Sequence, residues 1–311
     1  MVRQQRGKAE TGEARAAERA GSFPWRAVLV EALRAANAVV RRLTPQAGRR
    51  VVGGRAEGYR PWDPEVIGID TATERAVILA LRRRGVQGTL LSEEAGEMAL
   101  VARPGAGRSE PVYVIMDPFD GSLLYRRGIP AHWFTALGIY SGEGEPRAAG
   151  LIDHITGEIV LADPKGAVRL RQAGARPAPV RPSRTTAVDG ACLEAYLKKP
   201  SFLYPTSTAL RPLFERALFI LPNGGPGGFV DVAVGRIDVY LAWNEALTEV
   251  YSAAFIAERA GCVITHWDGA PVRFTPDVRA VYSLVCSANA ALHRQVLQVL
   301  RGITPPKGLA P

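Results

Sequence analysis

At 311 residues, with 47% hydrophobic and 22% charged residues, the chain is long enough for one large domain or two ordinary ones around a substantial core. No stretch reaches the roughly 20 apolar residues of a membrane helix, and the polar opening MVRQQRGKAETGEARAAERAGS has no apolar signal-peptide centre, so a cytoplasmic location is expected. The net charge of +9 is carried by dispersed arginines, without finger spacing, an RNA-binding aromatic string or a basic heptad region; this argues against nucleic acid and suits an anionic small substrate.

Residues 1–22 alternate charged and small side chains without an apolar stripe and read as a flexible tail. Helical spacing of Trp25, Val28, Leu29, Ala32, Leu33, Ala36 and Val39 predicts a helix from Pro24 to about Arg42, with Ser22 as N-cap. The Gly- and Pro-rich segment 44–69 reads as loop or irregular hairpin, and a second helix is expected from Asp70 to Arg84, stopped by Gly85. Thr89–Ser92 and Val112–Met116 read as strands, each running into acidic residues, and alternating strands follow over 133–170.

After a Pro- and Arg-rich connection at 173–184, apolar elements are expected near 188–198 and 217–221. A Gly-rich turn at 223–228 comes next, then helices over 229–235 and 249–260 flanking a strand at 237–241. Val281–Cys286 and Ala288–Arg301 read as a last strand and helix, and 303–311 as a second flexible tail. This order predicts a layered α/β fold of two subdomains, 23–172 holding the metal site and 173–302 completing a cleft between them. Cys192, Cys262 and Cys286 are scattered among apolar neighbours and read as buried thiols rather than disulfides or zinc ligands. The four histidines show no metal spacing and read as structural or surface residues.

The chemistry concentrates in Val112-Tyr-Val-Ile-Met-Asp117-Pro-Phe-Asp120-Gly-Ser122. A strand that delivers two aspartates onto one turn creates like-charge repulsion unless a cation lies between them, and an all-oxygen donor set suits Mg²⁺. Gly121 and Ser122 place backbone N–H groups beside that charge, a cradle for phosphate. Glu93 and Glu94 end the preceding strand in the same way, and Asp70 adds an acid at a helix start.

Met116-Asp-Pro-Phe-Asp-Gly-Ser122 resembles the signature of the inositol monophosphatase superfamily, which includes fructose-1,6-bisphosphatases and dual-activity archaeal enzymes. Leu91-Ser-Glu-Glu94, Asp70 with Glu74, Gly128-Ile-Pro130, Gly235-Arg-Ile-Asp-Val-Tyr240, Ala253–Gly261 and Ser287-Ala-Asn289 resemble further landmarks in order, over residues 24 to 300. The resemblance implies an αβαβα sandwich and hydrolysis of inositol monophosphate or fructose 1,6-bisphosphate with about two or three Mg²⁺ ions per site. It also implies a homodimer and inhibition by Li⁺. Glu93, Asp117 and the Phe119 carbonyl would hold one ion and Asp117 and Asp120 the second, Asp70 and Ser122 would activate water, and the N–H groups of Gly121 and Ser122 would grip phosphate.

Where the family has an aspartate completing the second metal site, this chain has Glu249, with Glu245 as the alternative register. Leu124 replaces a frequent asparagine, and Leu221–Gly228 replaces the usual substrate-contacting turn. These departures keep two other readings open, a 3′-phosphoadenosine nucleotide phosphatase and a catalytically impaired regulator that binds phosphorylated ligands.

Overall fold

The computed structural model describes residues 23–55, 64–171, 176–273 and 275–303; both expected tails, apart from Ile303, and the Ser22 cap lie outside them. Helix α1 (Trp25–Arg42) buries Val28, Leu29, Ala32, Leu33 and Ala36, the stripe read from the sequence. The segment expected as a loop instead holds a short helix α2 (Pro45–Arg49), capped by the Thr44 hydroxyl, and a hairpin of β1 (Val51–Gly54) and β2 (Glu65–Ile67). Helix α3 (Gly68–Arg83) starts two residues before Asp70, because the Asp70 carboxylate reaches back from the third helical position to the Ile67 N–H at 2.9 Å.

Strands β3 (Gln87–Ser92) and β4 (Gly96–Leu100) form a hairpin, and β5 (Pro111–Asp120) runs parallel to β3. The expected end of β5 at Asp117 is corrected: pairing resumes at Asp120, with a bulge between the two aspartates. The short helix α4 (Ser122–Arg127) follows. Strands β6 (Phe134–Ser141), β7 (Pro146–Asp153), β8 (Ile159–Asp163), β9 (Gly166–Leu170) and β10 (Ala178–Pro179) then complete an eight-stranded sheet, ordered β10-β9-β8-β7-β6-β5-β3-β4.

The second half opens with β11 (Cys192–Ala195), helices α5 (Pro200–Ala209) and α6 (Arg211–Phe214), β12 (Phe219–Leu221), α7 (Pro226–Ala233) and β13 (Val239–Ala246). The helix expected over 249–260 is two helices, α8 (Leu247–Tyr251) and α9 (Ala254–Ala260), before β14 (Val263–His266), β15 (Val281–Ser287) and α10 (Ala290–Leu300). The break is tied to packing. The Tyr251 carbonyl accepts from the buried Tyr140 hydroxyl at 2.8 Å and crowds Gly138 of β6, where an added Cβ would stand 2.2 Å from it.

Five layers result. Helices α1 and α3 cover one face of the large sheet, where Val112, Val114 and Met116 meet Val28, Leu33, Val77 and Leu81. On the other face Leu91, Ile115 and Ala136 share one core with Phe229, Phe255 and Ile256 of α7 and α9. That core continues into the five-stranded sheet β12-β11-β13-β15-β14 and on to Leu292 and Val296 of α10. Covering on both faces explains why β5 reads as an unbroken apolar run. Among the described residues no helix is long and apolar enough to cross a membrane. Tyr140→Phe keeps the ring and strands the Tyr251 carbonyl, so a urea melt should show a loss of about 1–2 kcal/mol.

Candidate active site

The register of β3 on β5 sets Ser92 beside Met116, so the next residues of both strands, Glu93 and Asp117, emerge at the same sheet end. Both are buried, and Asp117 is 1% exposed. The Pro118 carbonyl, inside the bulge, accepts from the Thr135 hydroxyl at 2.6 Å, and His154 Nε2 lies 2.8 Å from that hydroxyl. Burial holds the His154 pKa down to about 3, so its neutral ring stacks on Phe119 and buttresses the turn. Gly121 adopts φ +102°, where a Cβ would stand 2.0 Å from the His132 carbonyl; only glycine fits there.

Asp70 comes to this turn from α3. Its Oδ1 accepts from the Ser122 hydroxyl at 2.7 Å while Oδ2 is held by the Ile67 N–H. Burial pushes the Asp70 carboxyl up to about 7. The Glu93 charge adds to the rise; the two hydrogen bonds and the Arg55 charge oppose it. Glu74, one turn further along α3, accepts from Ser92 Oγ at 2.5 Å and from the Ala95 N–H at 2.9 Å, fixing the end of β3.

Glu249 enters from the other half. It stands at the third position of α8, where its Oε2 accepts from the Ala246 N–H at 3.0 Å, the arrangement that Asp70 has in α3. Glu93, Phe119, Asp120, Gly121, Ser122 and Glu249 line one cleft that is open to solvent. Leu124 and Glu245 line it too. Asp70 and Asp117 do not line it; Asp70 is tied to it through Ser122, and Asp117 follows the strand register that sets it at the same sheet end as Glu93.

Sequence reasoning missed Arg55, in the Gly-rich hairpin. Its Nη2 bridges Glu93 Oε1 at 2.7 Å and Glu94 Oε1 at 2.6 Å from a buried position, and Nη1 donates to the Glu65 carbonyl. It also missed Lys198, which lines the cleft beside Tyr196. An isolated arginine in a loop and a Lys-Lys pair carry no periodicity, so neither left a signal.

The donor set fits Mg²⁺: clustered carboxylates and a main-chain carbonyl, all hard oxygen, with Asp117 buried beside its neighbours. Among the described residues no three acidic, histidine or cysteine side chains already surround one point, because Glu93 is bonded to Arg55 and Glu249 to its own helix start. Binding an ion would exchange those bonds for metal ligation.

Asp70 has a stability consequence. A carboxyl raised from 3.8 to about 7 stabilises the fold below the unfolded pKa, and that stability is lost as pH rises through 7. Asp70→Asn, which keeps an acceptor for the Ile67 N–H, should therefore raise the stability of metal-free protein at pH 8. The gain, on the order of 2 kcal/mol, should fade toward pH 4 in parallel thermal melts.

The family model described as the inositol monophosphatase family matches residues 24–304. A Methanothermobacter thermautotrophicus protein named fructose-1,6-bisphosphatase/inositol-1-monophosphatase is 24% identical over 298 residues, covering 92% of this chain and all of its own. One of the same name from Archaeoglobus fulgidus is 27% identical over 241 residues, covering 75% of this chain and 82% of its own. Among solved structures, the Anabaena inositol monophosphatase superposes with TM-score 0.67 at 21% identity, covering 89% of this chain and 95% of that one. The extragenic suppressor protein SuhB of Bartonella henselae does so with TM-score 0.69 at 20% identity, covering 89% and 98%. These structures share the fold, and the family model spans nearly the whole chain: it belongs to the inositol monophosphatase family.

Proposed function

We propose that the chain is a Mg²⁺-dependent phosphomonoesterase that releases phosphate from a small sugar or polyol phosphate. The observation that carries this reading is one cleft lined by Glu93, Asp120 and Glu249, with Asp117 at the same sheet end as Glu93, beside a hydrogen-bonded Asp70–Ser122 pair. The names of the two archaeal relatives support the same class of substrate. Glu93, Asp117 and the Phe119 carbonyl would hold one ion, and Asp117, Asp120 and Glu249 another. Mg²⁺, when bound, neutralises phosphate charge and makes water more acidic.

The chain's own residues supply orientation and proton transfer. The Ser122 hydroxyl gives its hydrogen to Asp70 Oδ1, so the serine oxygen is left as acceptor for a water proton. That proton passes through Ser122 to Asp70 as the water oxygen attacks phosphorus and the P–O ester bond breaks, yielding inorganic phosphate and an alcohol that is reprotonated from solvent. The N–H groups of Gly121 and Ser122 would hold a phosphate oxygen. Asp70 must be ionised to act, and added positive charge lowers its pKa, so the rising limb of the pH–rate profile in saturating Mg²⁺ lies below 7. A homodimer in the cytoplasm belongs to the same reading.

Phosphate release from inositol 1-phosphate, fructose 1,6-bisphosphate and 3′-phosphoadenosine 5′-phosphate, titrated with Mg²⁺, tests it. One of the first two should be hydrolysed, and Asp117→Asn should lower kcat/KM at least about 1,000-fold. Selective turnover of the nucleotide would replace the polyol reading. Binding of all three without turnover would make the chain a phosphate-ligand-binding relative.

A further inference from the structure

Away from the cleft, the surface carries a groove that the phosphatase reading does not use. Arg34, Asn37 and Arg41 lie on one face of α1, at the helical spacing that brings side chains together, and all three line the groove. Thr156 and Gly157, from the turn between β7 and β8, line it as well, and so does Arg171 just beyond β9. None of these residues lines the cleft of Glu93 and Asp120.

The groove is basic without compensation. Among the described residues no acidic side chain lines it, and the Arg34 and Arg41 guanidinium groups make no hydrogen bond or ion pair. Two acids of the neighbouring turn are engaged elsewhere. The Asp153 carboxylate accepts from the Ile155 and Thr156 N–H groups and from the Thr156 hydroxyl, which shapes the turn. Glu158 pairs with Arg236 at 2.9 Å and stands 3.9 Å from Arg171. Arg41 Nη2 reaches over the turn, where a Cβ on Gly157 would stand 3.6 Å from it.

The groove also connects inward. The side-chain amide of Asn37 stands 3.2 Å from His154 Nδ1, and His154 Nε2 lies 2.8 Å from the Thr135 hydroxyl that donates to the Pro118 carbonyl. A line of half-buried and buried polar contacts therefore runs from the groove to the bulge between Asp117 and Asp120, the kind of packed path along which two sites can influence each other. Arg41 is close enough for its charge to act on the His154 ring.

Like charges gathered on one surface repel, and an anion that bonds to them offsets the repulsion. Guanidinium groups present planar forks of donors that suit phosphate or carboxylate oxygens. Three forks exceed what the two oxygens of one carboxylate can accept, whereas a phosphate offers more oxygens and more charge. We propose that this groove is a second anion site, taking a phosphate dianion on Arg34, Arg41 and Arg171, and that its occupancy bears on the acidic turn through Asn37 and His154. The site stands independently of the phosphatase reading.

Calorimetric titration with inorganic phosphate in EDTA tests it, because the acids of the cleft then disfavour an anion there. Binding should weaken at least about tenfold in the Arg34→Met/Arg41→Met double variant and less in Arg171→Met, whose guanidinium already faces Glu158. Acetate should bind more weakly than phosphate. In protein carrying isotope-labelled histidine, the His154 ring resonances, assigned by their loss in His154→Phe, should shift as phosphate saturates the wild type. They should stay fixed in the double variant at the same concentrations. Absence of phosphate binding, binding undiminished in the double variant, or acetate binding as tight as phosphate overturns the site. Phosphate binding that leaves the His154 resonances in place overturns its link to the acidic turn.

Discussion

Burial of acidic side chains at one end of the large sheet, Asp70, Glu93 and Asp117 among them, is the constraint around which this cleft is built. Carboxylates brought together where water is scarce favour protonation or a cation, and the structure shows both responses. Burial holds Asp70 up at about 7 and raises Glu245 and Glu194 well above their ordinary values, the other acids adding to the rise. Arg55 bridges Glu93 and Glu94, and Lys198 sits among the acids of the cleft. Carboxylates and a main-chain carbonyl gathered at the Asp117–Asp120 turn make an all-oxygen donor set of the kind that suits a small divalent ion.

The rest of the fold serves to hold these groups in register. Parallel pairing of β3 with β5 fixes Glu93 beside Asp117, and the bulge between Asp117 and Asp120 lets the strand continue while re-aiming its side chains. Thr135 and neutral His154 hold that bulge from β6 and the end of β7. Asp70 and Glu249 arrive by one device used twice, an acid at the third helical position that caps its own helix start. Because such a cap can be exchanged for another partner, the second residue combines a structural bond with a place at the cleft.

Much of the frame was legible because local pattern and tertiary demand coincide there. The apolar run 112–116 is a strand buried on both faces, and the stripe on α1 is its cover. The acidic turn was legible for a different reason: two aspartates flanking Pro-Phe and followed by Gly-Ser put like charges on one turn, a pattern that suits a cation. The failures share a cause. The break between α8 and α9 has no glycine or proline to announce it; it comes from Tyr140 and Gly138 on another element. Arg55, Lys198 and the buried Glu194–Asn223 pair take their meaning from partners distant in sequence, which periodicity does not encode.

We propose that a divalent ion belongs among these acids, and a crystal soaked in Mn²⁺ and phosphate, with anomalous scattering recorded, tests that. Peaks ligated by Asp117 are expected, one shared with Glu93 and one with Asp120 and Glu249, with phosphate against the Gly121–Ser122 backbone. A map with no peak at Asp117 and Arg55 still bridging Glu93 and Glu94 at saturating Mn²⁺ would contradict it.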